Sequence, residues 1–193
     1  MCIHVELPSG LRLPKSEPAR KKRFPRRLTG GDVELVRLSL RNDPARLKEL
    51  FALYTKNRQH LLPWHNEREA LLFKNVTAMK AHIKKYELSW HAVYYAGAMA
   101  GLVELRDKGA YIHISYWVDE NHTRKGIAYA ALTMMEHALS AMRCNCLQAE
   151  IFPDNEASIN LMKKLKYKEY GAAFMLISES EHDDFRLIFQ KTL

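Results

Sequence analysis

Between residues 90 and 118 three β-rich runs follow one another with almost nothing between them. Trp90 to Tyr95 is the first, Met99 to Leu105 the second and Tyr111 to Val118 the third. Gly97-Ala98 and Asp107-Lys108-Gly109 separate them. Connections this short reverse a chain and cannot carry a crossover, so the runs predict an antiparallel meander. Around it the periodicity changes repeatedly. Val33 to Leu38 alternates as a strand, and Asn42 or Asp43 caps a helix with Pro44 near its first position. Leu47, Leu50, Phe51 and Tyr54 recur at helical spacing. After a loop at residues 61–66, residues 67–86 read as a second helix, Gly126 to about Met142 as a third and Asn155 to Leu165 as a fourth. Leu147 to Phe152, residues 168–177 and residues 185–191 read as strands. This order predicts an α/β fold with a largely antiparallel sheet.

The chain has 193 residues, enough for one domain with an appendage, and a formal charge of +8. That charge is concentrated. Residues 1–30 hold eight Lys/Arg and two acidic residues, against 22 and 20 in residues 31–193. The expected division is therefore a basic, disordered tail over 1–30 and a folded domain over 31–193. The cluster Arg20-Lys21-Lys22-Arg23 with Arg26-Arg27 suits phosphate or an anionic surface, or is simply a solvated tail. No apolar run approaches the ~20 residues of a membrane helix, and the N-terminus lacks the apolar stretch of a signal peptide. Cys2, Cys144 and Cys146 form neither a disulfide framework nor a zinc set, so free thiols in a reducing cytoplasm and no metal are expected.

The stretch richest in chemistry runs from Ser115 to Ala128. A strand ends, a polar loop follows, and a helix opens on Gly126. The first turn of a helix offers unpaired N–H groups and the positive end of its dipole, which together hold phosphate. Thr123, Arg124 and Lys125 add a hydroxyl and two cations. The spacing fits neither the P-loop nor the dinucleotide fingerprint.

Thr123-Arg124-Lys125-Gly126-Ile127-Ala128 resembles motif A of the GNAT-superfamily N-acetyltransferases, [QR]-x-x-G-x-[GA], with Thr123 in place of Gln or Arg. Asn155-Glu156-Ala157-Ser158, Leu165-Lys166-Tyr167, Tyr116-Trp117-Val118 and Leu62-Pro63-Trp64 are similar to the RimL/RimJ-like branch that acetylates ribosomal proteins. The resemblance covers roughly residues 32–193. It implies a GNAT-type mixed sheet of about seven strands flanked by about four helices. It also implies a cytoplasmic monomer or homodimer that transfers acetyl from acetyl-CoA to an amine by direct attack. The amine is a protein N-terminal α-amine or a small molecule.

On that reading, Thr123, Arg124, Lys125, Gly126, Ile127 and Ala128 receive the pyrophosphate. A backbone N–H near Trp117 or Val118 faces the thioester oxygen. His113 is the candidate base, with Glu104 second; each reads equally as a strand residue in a structural or solvated role. The position where many members carry a phenolic acid is Met162 here, which leaves Ser158 as the candidate acid. Asn155 binds the pantetheine arm or caps its helix. Lys163 and Lys164 meet the 3′-phosphate or water. Glu179 and Glu181 lie slightly beyond the position where some relatives carry a base. Trp64 and His65 line the acceptor pocket, or Trp64 anchors core. The rival is a CoA-holding module without catalysis that binds RNA or the ribosome through its basic tail.

Overall fold

The computed structural model describes residues 24–64, 73–175 and 184–193. Eight strands among these residues form one sheet in the order β1-β2-β3-β4-β5-β6-β8-β7. They are β1 (Arg27–Gly30), β2 (Val33–Arg37), β3 (Ser89–Tyr95), β4 (Ala98–Asp107), β5 (Ile112–Val118), β6 (Cys146–Ile151), β7 (Lys168–Met175) and β8 (Asp184–Thr192). Five α-helices among the described residues accompany them: α1 (Pro44–Lys56), α2 (Arg58–Leu61), α3 (Val76–Lys85), α4 (Ile127–Ala141) and α5 (Glu156–Lys164). The mixed, mostly antiparallel α/β architecture is the expected one.

The meander is as the turns foretold. Ala96 and Gly97 both have positive φ, at 48° and 84°, which matches the twist of the strands they join. Every neighbouring pair of strands is antiparallel except β5 and β6. That parallel pairing extends only over Ile112–Leu147 and His113–Gln148. From Ile114 to Val118, β5 has no partner on β6, so the sheet splays open along the C-terminal half of β5.

Alternation sorts the side chains of the sheet onto two cores. Leu35, Val93, Val103, Leu105, Ile112 and Ile114 pack with Ile127, Leu132, Met135 and Leu139 of α4 and Met162 of α5. Trp90, Ala92 and Leu102 face the other way, onto Leu47 and Leu50 of α1 and Met79 and Ile83 of α3. The splay is therefore walled by α4 and α5 on one face of the sheet and by α1 and α3 on the other.

Two boundaries differ from expectation. The sheet begins before residue 31, because Arg27–Gly30 pairs with β2 and Phe24 is buried. Its four residues are mostly exposed and show no apolar alternation, so nothing in the pattern marks it as a strand. Long-range bonds hold the segment instead. Arg37 donates to the Phe24 carbonyl at 2.8 Å, and His91 Nε2 to that of Pro25 at 3.0 Å. Residues 1–23 of the expected tail lie outside the described residues. The second expected helix starts at Val76, because Asn75 Oδ1 accepts the N–H of Ala78 at 2.9 Å and caps it there. Residues 65–72, also assigned to loop and helix, are outside the described residues.

Candidate active site

The loop between β5 and α4 has the conformation that exposes backbone N–H groups. Arg124 has φ 60° and Gly126 φ 76°, so left-handed residues alternate along it. Such alternation turns successive N–H groups toward a common concavity that suits an anion. Ala130 is the first residue of α4 to bond back, to Gly126 at 2.9 Å. The N–H groups of Ile127, Ala128 and Tyr129 precede that first bond and have no intrahelical partner. Gly126 caps the helix without a side-chain bond, and a Cβ built there meets nothing within 4 Å. The residues present thus fit a pyrophosphate. Thr123 differs from its neighbours: its hydroxyl donates to the Glu120 carbonyl at 3.0 Å and closes the turn. Ile127 buries its side chain in the core, leaving only its backbone to the loop.

A buried carboxylate ties this loop to α1. Asp119 accepts from Lys56 Nζ at 3.1 Å and is bonded to His122 Nδ1 at 2.9 Å. Asn57 Oδ1 takes the N–H of Glu120 at 2.8 Å, and its amide donates to the Leu53 carbonyl at 2.9 Å. Burial opposes ionisation of Asp119, but hydrogen bonds from Asn57, His122 and Lys56 outweigh it and hold its pKa at about 2. None of these four residues was singled out from sequence. Asp119 falls inside the loop stretch, but its partners at the end of α1 carry no local signal.

The ladder separates Trp117 from Val118. Asp119 N–H bonds to the Ala100 carbonyl at 2.7 Å, opposite it on β4. Alternation then directs the N–H groups of Trp117, Ser115 and His113 to β4, and those of Val118, Tyr116 and Ile114 into the splay. The Trp117 indole packs edge-on to Tyr54, 6.4 Å between centroids, on the α1 side.

His113 and Ser158 lie on opposite walls. His113 Nε2 stands 3.9 Å from Glu150 Oε1 of β6, where the two strands part. Glu150 also accepts from Gln148 at 3.3 Å, and Gln148 from Gln190 at 2.8 Å. Glu104 is on the same face as His113, with Oε2 taken by the Trp90 indole N–H at 2.6 Å. On the other wall, Ser158 Oγ is 2.6 Å from Tyr116 Oη. Asn155 Oδ1 accepts the Ser158 N–H at 3.1 Å, so Asn155 caps α5. The sequence pattern alone assigns no role to Glu150 or Tyr116; the strand alternation Gln148-Ala149-Glu150 is the available signal for the first.

Trp64 ends a 3-10 turn, Leu62–Trp64, and is half-buried rather than part of the buried core. His65, Glu179 and Glu181 lie outside the described residues. Lys164 sits over the Tyr129 ring at 4.6 Å, near the helix start. Among the described residues no three His, Cys, Asp or Glu side chains gather as a metal set, and no helix is long and apolar enough to cross a membrane. A cavity of about 780 Å³ lined by Arg37, Tyr86, Ser89 and Arg106 lies at the opposite end of β4 from the Gly126 loop.

A helix start with exposed N–H groups thus stands beside a parallel strand pair that splays apart within a mixed α/β sheet. The Acetyltransferase (GNAT) domain family matches residues 26–168, and the chain belongs to that family. It is an acetyl-CoA-dependent acetyltransferase. Among solved structures, the ribosomal-protein-S5-alanine acetyltransferase of Vibrio fischeri is similar at 17% identity and TM-score 0.70, over 86% of this chain and 96% of that one. The microcin C7 self-immunity acetyltransferase MccE, solved with acetyl-CoA and AMP, matches at 15% and 0.71, over 85% and 94%. Mycobacterium smegmatis RimJ, solved with a CoA disulfide, matches at 20% and 0.67, over 83% and 81%. No curated protein sequence matches the chain.

Proposed function

We propose that this acetyltransferase acts on a primary amine, by direct attack on the thioester within the β5–β6 splay. The observation that carries the reading is that His113, beside Glu150, and Ser158, bonded to Tyr116, stand on opposite faces of β5 next to that opening. The loop N–H groups of residues 124–128 hold the pyrophosphate. The Val118 N–H points where negative charge develops on the thioester oxygen, and fixed donors at that position lower the barrier. His113 takes the proton of the amine. Glu150 favours the protonated imidazole that results, as an opposite charge at this range does. Ser158 returns a proton to the leaving sulfur. Glu104, bound by the Trp90 indole, fixes the wall beside His113.

The acidity of the acceptor bears on its identity. A protein α-amine titrates at about 8 and a lysine ε-amine at about 10.4, so far more of the α-amine is the free nucleophile near neutral pH. The N-terminal α-amine of a protein is therefore the favoured acceptor, in keeping with the substrate named for the Vibrio fischeri relative. Trp64 and His65 belong to the segment after α1 that would contact it. Thiol release from acetyl-CoA, measured against a panel of N-terminal peptides and small amines, tests the reading. Amine-dependent release fastest with peptides is expected. Acetyl-CoA binding without turnover for any amine would instead support the non-catalytic module, whose proposed RNA contact is tested by deleting residues 1–23.

A further inference from the structure

We propose that Tyr116 is the proton reserve behind Ser158, a positioning residue on β5 that acts through the serine hydroxyl. The inference rests on the acetyl-transfer reading of the site.

The geometry is specific. Tyr116 lies on the portion of β5 without a partner on β6, two residues before Val118. Its hydroxyl crosses to α5 and meets Ser158 Oγ at 2.6 Å. The serine is held from the other side, because its N–H is spent on Asn155 Oδ1 at 3.1 Å. Burial pushes the Tyr116 phenol up to about 12, against the opposing pull of the Ser158 bond, so it stays protonated at working pH. With the phenol donating, the serine oxygen accepts, and the serine proton is left to point elsewhere. The leaving sulfur is the acceptor that the reaction creates.

The chemistry explains why a lone serine is insufficient. An alcohol is an acid about as weak as water. A thiol is an acid of about 8.5, so transfer from an isolated serine to a thiolate runs far uphill. The Tyr116 phenol, even pushed up to about 12, is much closer than an alcohol. As the C–S bond breaks, its electron pair goes to sulfur. Sulfur takes the Ser158 proton, and Ser158 Oγ takes the Tyr116 proton in the same step. The phenolate then recovers a proton from water, which matches the one released to solvent through His113. The net reaction consumes one amine and one thioester and yields one amide and one thiol.

Tyr116→Phe keeps the ring and removes the hydroxyl. Turnover is compared with two acyl donors: acetyl-CoA, and an S-aryl thioester whose nitrothiophenolate leaves without protonation. With acetyl-CoA, kcat is expected to fall about 100-fold at nearly constant KM, the scale of a lost acid. With the aryl donor the rate is expected to change by less than about threefold, since no acid is needed there. Ser158→Ala is expected to show the same donor dependence, and the double variant to lose no more than Ser158→Ala alone. Equal losses with both donors, no loss with acetyl-CoA, or additive losses in the double variant would overturn the relay while wild-type turnover upholds acetyl transfer. No wild-type turnover with either donor would overturn the reading beneath it.

Discussion

Gly101 lies on β4 opposite Val118, on the side of β5 away from the splay. A Cβ built on it comes within 2.3 Å of the Trp117 carbonyl oxygen and 3.1 Å of Val118 Cα. Ordinary contact starts near 3.4 Å, so Gly101→Ala requires about 1 Å of movement by β5 backbone, with no side chain able to yield. Overpacking of this kind costs about 1–3 kcal/mol. In a chain of this length that lowers Tm by roughly 3–10 °C. The same movement displaces the Val118 N–H, and a misplacement near 1 Å is worth about 100-fold in rate. Thermal unfolding and acetyl-CoA turnover on one preparation measure both effects. Gly171→Ala is the control, because a Cβ there meets nothing within 4 Å and its backbone is not left-handed. Gly101→Ala with unchanged Tm and rate would refute the close-approach reasoning. A lower Tm with full activity would refute the link between this approach and the donor.

Three further outcomes follow from the same geometry. Gly126→Asp places a like charge and a left-handed strain at the phosphate cradle, so acetyl-CoA affinity should fall about 10–100-fold by calorimetry, and Gly126→Ala should cost less. Asp119→Asn should loosen the tie between α1 and the loop and weaken acetyl-CoA binding. Its native pKa is depressed from 3.8 to about 2, so its contribution is present above pH 3.8 and fades as pH falls toward 2; solvent at half-exposed Lys56 limits it to about 1–2 kcal/mol. His91 is fully buried, and desolvation lowers its pKa from 6.5 to about 4 despite its bond to Pro25. Because the unfolded state binds the proton first, this stability is full above pH 6.5 and is lost toward pH 4, by about 3 kcal/mol. Urea unfolding at pH 7 and 4.5 should show a steeper loss in wild type than in His91→Asn.

What could be read from sequence is what has a local period. β2 alternates, β3 to β5 are β-rich runs split by short turns, α1 and α4 repeat at helical spacing, and a glycine opening a helix after a polar loop is visible as it stands. The unread parts depend on contacts between distant residues. β1 is exposed and is held by Arg37 and His91, far along the chain. Tyr116 and Ser158 are 42 residues apart, and only the splay brings them together. Glu150 faces His113 because β5 and β6 share two register positions before they part. The Lys56-Asn57-Asp119 tie likewise joins a helix end to a loop 63 residues later. Gly101 was legible in principle, since a glycine inside a strand marks a close backbone approach.

Acetyl transfer across the splay, from the His113 wall to the Ser158 wall, is tested by the pH dependence of kcat/KM for the full chain, with and without His113→Ala. Wild type is expected to show an acid limb that His113→Ala abolishes along with most of the rate, while acetyl-CoA affinity is retained. An unaltered limb and rate in His113→Ala would contradict it.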